Sequence, residues 1–338
     1  NILEVNNGAA LRINNPSTEV TCEVYDWTAG GIDVVAGTFT INDLFDPGMY
    51  GTFWCNPDGE LNINQDGTQW IDLNGELHVF GGTVNVFGGS YGWWPYDGDA
   101  AIEVSDGELN IESAVILKTS GIFSFTEDIT GGTIRFNDLF VDERGDFNPE
   151  GGTIEFTGAE DAQISQTPGS HFYDLVINKT DGVFSKAMGP ESTQKMQNQQ
   201  GKTPDSRDLY LPQSMRAANQ TIIFNSDIDV RNDLMINEGF LQCGELADDS
   251  YTLELWGDLG GSPNSFIPHE GTVFFDQGTD NQITADMDFW NVQIAKFEFF
   301  ELGSVTLADG ISLDIGNNLS IIHGTLALGL NNTLDIGN

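Results

Sequence analysis

A chain of 338 residues with 40 Gly, 39% hydrophobic residues and abundant Asn and Asp is composed for strands and corners rather than helices. Its 52 acidic residues against 12 basic ones give a formal net charge of −40, which repels phosphate backbones and anionic lipid and disfavours nucleic-acid and membrane-surface partners. No stretch approaches the roughly 18 apolar residues that span a bilayer, so no membrane insertion is expected.

From residue 1 to 130 the sequence predicts stacked β-coils. A pentapeptide of Gly, polar, apolar, polar, apolar recurs as Gly59-Glu60-Leu61-Asn62-Ile63, Gly75-Glu76-Leu77-His78-Val79, Gly107-Glu108-Leu109-Asn110-Ile111, Gly132-Thr133-Ile134-Arg135-Phe136, Gly152-Thr153-Ile154-Glu155-Phe156 and Gly271-Thr272-Val273-Phe274-Phe275. Alternation with period two marks a half-buried strand, and the opening glycine marks a corner. The glycines at 37, 59, 82, 107, 132 and 152 are spaced by 22, 23, 25, 25 and 20 residues. A coil of that length holding two or three short strands matches a parallel β-helix, each coil lying roughly 4.8 Å above the last. The predicted fold is therefore all-β, a parallel β-helix (β-solenoid) with one long loop insertion. Leu61, Ile63, Val84, Val86, Leu109, Ile111, Ile134, Phe136, Ile154 and Phe156 are expected to point inward, and Glu60, Asn62, Glu108, Asn110 and Glu155 to face water.

Within this region the aromatic loop 90–99 is the strongest local candidate for binding. Tyr91, Trp93, Trp94 and Tyr96 lie beside Asp97 and Asp99. Aromatic faces stack on sugar rings and carboxylates accept hydrogen bonds from hydroxyls, so a glycan is one expected partner. A subunit contact, or a loop folded over the coil edge, is the other reading.

Residues 131–183 form a first solenoid module, and residues 220–338 continue the solenoid with a truncated second copy. F-N-P-E-G-G-T-I-E-F from Phe147 recurs as F-I-P-H-E-G-T-V-F-F from Phe266, Pro149 and Pro268 standing 119 residues apart. Gln163-Ile164 matches Gln282-Ile283 at the same offset, and Phe172 to Lys179 matches Phe289 to Lys296 at an offset of 117. Leu234 to Gly239 recurs as Leu319 to Gly324, and Leu253-Glu254-Leu255 as Leu334-Asp335-Ile336. Residues 184–219 have no counterpart and read as a basic loop insertion. Lys186, Lys195, Lys202, Arg207 and Arg216 place five of the twelve basic residues there, a candidate partner contact that could clasp an acidic face of the same or a neighbouring subunit. The chain begins at Asn1 without a signal peptide and ends inside a repeat, so a trimmed piece of a longer protein is expected.

The module F-x-P-x-x-G-T-[IV]-x-F, then Q-I, then F-[YW]-x-[LV]-x-I-x-K, then L-x-I-x-x-G-x-L, resembles the tandem repeats of large secreted surface proteins of Bacteroidetes-like bacteria, often exported by the type IX secretion pathway. The resemblance covers about residues 130 to 338. It implies an extracellular, cell-surface location and an adhesin, stalk or filament, with other copies of the chain or adjoining repeats as partners.

Catalysis is not expected. Lyases of this shape resemble one another in clustering Asp with Lys or Arg on one sheet face, whereas Arg135 and Arg231 stand alone at outward positions, where solvation or ion pairing suits them; hydrolysis needs two acids paired across a groove, a signal that is not specific in a chain with 52 acidic residues. A carbohydrate-active β-helix enzyme or a non-catalytic glycan-binding module is the alternative. His78, His171, His269 and His323 have no ligand spacing. No cofactor is expected, although Asp97 with Asp99, and Asp248 with Asp249, could contribute oxygens to Ca2+ if they are more than acidic turns. Cys22, Cys55 and Cys243 are odd in number. They read best as buried apolar thiols, with a Cys22 to Cys55 bridge as the other possibility.

Overall fold

The computed structural model describes residues 2–5, 9–26, 30–44, 48–64, 70–87, 90–93, 99–112, 114–117, 123–179, 220–276, 280–298 and 301–337. Among them there is no helix, and three sheets build a β-solenoid: one of 15 strands from Ile2–Glu4 to Thr325–Leu328, one of 9 from Gly48–Met49 to Phe266–Ile267, and one of 6 from Ile228–Val230 to Thr333–Ile336. Every pairing within these three sheets is parallel; the antiparallel exception is a separate two-stranded ribbon, Phe297–Glu298 with Glu301–Leu302. The insertion 184–219 lies outside the described residues, and strand pairing resumes at Thr221–Phe224, which lies on Ala162–Ser165.

The pentapeptides opened by Gly59, Gly107, Gly132 and Gly152 share one stack, whereas that of Gly75 pairs with Thr52 to Cys55 and that of Gly271 with Thr252–Leu255. Gly37 pairs with Gly59, and the strands that follow continue the register through Thr83, Glu108, Thr133 and Thr153. The corner leaves no room for a side chain: at Gly107, where φ is +81°, a Cβ would stand 2.3 Å from the Gly82 carbonyl oxygen one coil below. Gly152, at φ +78°, meets the Gly131 carbonyl in the same way.

All ten residues expected to point inward belong to one continuous apolar core, which runs from Val5 to Ile315. The core is aromatic around Phe136, Phe140, Phe147, Phe156 and Phe172: Phe136 and Phe156, in register on successive coils, meet edge to face with centroids 4.6 Å apart at 75°, Phe136 and Phe140 are stacked at 13°, and Phe140 is tilted against Phe147 and Phe172. Cys22, Cys55 and Cys243 are buried free thiols, so the Cys22 to Cys55 bridge is not formed. Burial pushes their pKa values up to about 11, 12 and 11.

Two outward residues depart from expectation. Asn62 and Asn110 are buried rather than facing water, because their amides join a side-chain ladder that climbs the first sheet. Asn62 donates to Thr40 Oγ1 (3.4 Å), Asn85 to Asn62 Oδ1 (2.8 Å) and Asn110 to Asn85 Oδ1 (2.9 Å). Arg135 continues it, its Nη1 reaching Asn110 Oδ1 at 3.5 Å and its Nε reaching Glu155 Oε2 at 2.6 Å; Asn178 closes it by donating to Glu155 Oε1 at 2.9 Å. A row of identical amides one coil apart satisfies itself, which removes the need for solvent.

Candidate functional site

The internal repeat is a repeat in space as well as in sequence. Phe172 bridges to Val230 as Phe289 pairs with Ile315, and Leu175 pairs with Leu234 as Val292 pairs with Leu319. The lysine that ends each F-[YW]-x-[LV]-x-I-x-K segment is fully buried. Lys179 Nζ donates to the carbonyls of Asn137 (2.9 Å) and Thr157 (2.7 Å); Lys296 Nζ donates to those of Trp256 (3.3 Å) and Asp276 (3.0 Å). Those carbonyls are themselves counterparts, each pair 119 residues apart. A glycine faces each lysine stem: a Cβ on Gly239 would lie 2.9 Å from Lys179 Cβ, and one on Gly324 2.8 Å from Lys296 Cβ. Each ammonium thus closes a sheet end where three successive strands stop. Burial lowers both pKa values to about 8 despite nearby carboxylates: Asp138, Asp161 and Glu160 at Lys179, and Asp276, Asp280 and Asp258 at Lys296.

Acidic residues hold the coils together at the corners. Asp174 Oδ1 accepts from the Asp233 amide (3.1 Å), Asp233 Oδ1 from the Asp258 amide (2.7 Å), and Asp258 Oδ1 from the Gln282 amide (2.7 Å). Asp161 caps Thr221 and Asp280 caps Ser304, again at equivalent places in the two copies. Part of the large negative charge is therefore structural, each carboxylate accepting from an amide that the corner leaves without a strand partner.

The predicted site residues fall in three places. Trp94, Tyr96 and Asp97 lie outside the described residues, as do Lys186, Lys195, Lys202, Arg207 and Arg216. Tyr91 and Trp93 belong to the strand Ser90–Trp93, in register with Val115 and Leu117 of the coil above. Asp99 accepts from both the amide and the hydroxyl of Ser124, at 2.8 Å each, and these bonds lower its pKa. Asp249 closes a turn onto the Leu246 amide, and no group of three or more His, Cys, Asp or Glu side chains able to hold a metal occurs among the described residues.

Both arginines singled out in the sequence are ion-paired. Arg135 lies between Glu108 (2.8 Å) and Glu155 (2.6 Å). Arg231 contacts Asp229 at 2.5 Å and covers the Trp256 ring at 3.7 Å; burial raises the Asp229 pKa to about 6, outweighing the arginine. A third pair had no signal in the sequence: Arg144, nearly buried over Phe125, meets Glu127 at 2.5 Å, and desolvation still pushes Glu127 up to about 7.

The feature that sets one region apart is the C-terminal end of the stack. Among the described residues, the exposed large apolar side chains gather there: Ile321, Ile322, Leu328, Leu330 and Ile336, the others being Leu246 and Leu302. Ile321 is 46% exposed while its counterpart Ile236 is 0%; Leu328 is 51% against 0% for Cys243, and Ile336 is 43% against 0% for Leu255. These positions are inward ones, since Ile321 pairs with Ile294, Leu328 with Leu307 and Ile336 with Ile315, all buried. Leu319, Leu326 and Leu334 are only partly covered by the core beneath. Alternation with period two marks which positions point inward but carries no information about whether a further coil lies above.

No family model matches this sequence, and neither the curated proteins nor the solved structures searched contain a match to it.

Proposed function

We propose that this chain is an extracellular structural or adhesive segment of a bacterial cell-surface protein or self-assembling filament, and that it carries out no catalysis. The observation that carries the reading is the uncovered apolar end of an otherwise continuous core. Such a surface is costly in water and is the usual mark of an assembly site, here at the end of a stack whose edge strands have no further strand partner among the described residues. Stacked coils give length and stiffness, corner aspartates hold one coil to the next, and the acidic surface keeps the body soluble. The lack of catalysis is supported by Arg135 and Arg231, which are committed to carboxylate partners and are not free to act on a sugar ring. The aromatic loop 90–99 and the basic insertion 184–219 supply the contacts, to glycan or to neighbouring subunits.

Electron microscopy of the purified chain tests the reading: rigid rods, joined end to end in filaments or arrays at some salt or calcium concentration, are expected. Particles without rod shape would end the structural interpretation, and cleavage of an acidic or neutral polysaccharide by the purified chain would replace it with an enzymatic one.

A further inference from the structure

The stack contains the same strand three times, and two of the three are covered. Thr133–Phe136 lies beneath Thr153–Phe156, with Ile134 on Ile154 and Phe136 on Phe156. Thr252–Leu255 lies beneath Thr272–Asp276, with Leu253 on Val273 and Leu255 on Phe275. In both cases the covering strand starts 20 residues after the one it covers, follows a glycine, and reads Thr, then Ile or Val, then any residue, then Phe. The third strand, Thr333–Ile336, has the same alternation, rests on Ser312–His323 as Thr252–Leu255 rests on Ile228–Val230, and has no strand above it among the described residues.

The other two sides of the coil agree. In the first copy Leu234–Glu238 is covered by Leu259–Gly261, and Phe240–Cys243 by Phe266–Ile267. Their counterparts, residues 319–323 and Thr325–Leu328, form the open edge. All three sides of the terminal coil therefore have an equivalent earlier in the chain whose cover is known residue by residue.

We infer that the open end receives, in parallel and in this register, a further coil of the F-x-P-x-x-G-T-[IV]-x-F type followed by an I-x-K strand. The inference rests on the structural reading above and names the partner that reading leaves open. The apolar residues of the incoming G-T-[IV]-x-F strand lie over Leu334 and Ile336, and its Phe-x-Pro segment lies over Leu326. The lysine of the next strand reaches the Gly337 carbonyl, the counterpart of the Asn137 and Trp256 carbonyls that Lys179 and Lys296 bind. A partner lacking that lysine would leave carbonyls at the sheet end without a donor. A charged residue at either inward position of its strand would put an unpaired charge against the core.

The test extends the full chain after Asn338 with a second copy of residues 258–298, which preserves the spacing because Trp256 corresponds to Gly337. Amide hydrogen exchange is then followed in residues 319–336. The expected result is that exchange there slows by roughly tenfold or more relative to the unextended chain. The same extension carrying Val273→Asp and Phe275→Asp in the added copy is expected to give no slowing, and Lys296→Met in the added copy only part of it. Unchanged exchange in the extended chain would overturn the assignment. So would an unextended chain whose residues 319–336 are already protected in a concentration-dependent way, since that places a second copy of the chain on the face instead. Either failure in a protein that still forms rods removes the named partner alone, whereas loss of the rod shape removes the structural reading beneath it.

Discussion

Residues 234–255 and 319–336 follow one pattern and differ in their surroundings. In the first, Ile236, Cys243 and Leu255 are fully buried between the coils below and above; in the second, Ile321, Leu328 and Ile336 rest on a coil below and face solvent above. Sequence sets which way a side chain points, and a neighbour sets whether pointing that way is rewarded. In a stack of this kind, stability is close to a sum of coil terms and nearest-neighbour interfaces, so the terminal coil has one interface where an internal coil has two.

The sharpest way to break the comparison is paired truncation. Leu255→Ala is expected to cost about 2–5 kcal/mol in urea unfolding, as for a fully buried leucine, whereas Ile336→Ala should cost less than about 1 kcal/mol. Equal losses would mean that the terminal coil is covered in solution. Next in size are the two buried lysines. Lys179→Ala and Lys296→Ala each leave buried carbonyls without the ammonium donor and should each cost about 1–3 kcal/mol. Because the carbonyls they bind are counterparts, the two losses should be similar; a large difference would show that the copies are not energetically equivalent.

Acidity should separate the regions further. Glu127 and Asp229 have folded pKa values raised by burial to about 7 and about 6, so the native state holds more protons than the unfolded chain above pH ~4. Their contribution is fully present below the unfolded values and is lost as pH rises through 6 and 7, so thermal unfolding midpoints should be higher at pH 5 than at pH 7.5. Glu127→Gln should flatten that trend. The lysines act at the other end: their folded pKa values are lowered to about 8, the unfolded chain retains the protons to higher pH, and stability should rise again from pH 8 to about pH 9, above which the three buried thiols, whose folded values are raised, work in the opposite sense. A flat profile across both windows would contradict these buried ionisations.

The smallest effect belongs to the corners. Asp258→Ala removes one carboxylate acceptor from the Gln282 amide and should cost about 1 kcal/mol or less, while Asp309→Ala, which frees the amide of exposed Leu330, should cost less still by thermal unfolding.

The fold was legible because its signal is local and repeated: each Gly followed by alternating residues gives a corner and a strand, and ten residues read as inward all lie in the core. What was not legible depended on contacts between coils. Asn62 and Asn110 carry no mark that their amides will meet Asn85; only the stacking of residues some 23 to 25 positions apart makes the ladder. Glu127 and Arg144 likewise meet only through the fold, across 17 positions. Lys179 and Lys296 did leave a trace, since lysine recurring at one place in a chain with only 12 basic residues is improbable as surface decoration. That trace located a repeat but not the carbonyls it serves. The end of the stack was the least visible, for Leu334-Asp335-Ile336 reads the same as Leu253-Glu254-Leu255.

The corner aspartates have a direction. In every such bond described above, from Asp99 with Ser124 to Asp309 with Leu330, the carboxylate belongs to the earlier coil and the amide to the later one. This matches the order in which a ribosome makes the chain. Each emerging coil meets a template whose acceptors are already in place, and no coil has to wait for a later one to supply its anchor. A body assembled this way can fold as it is synthesised, one layer at a time, with only the newest layer unsecured.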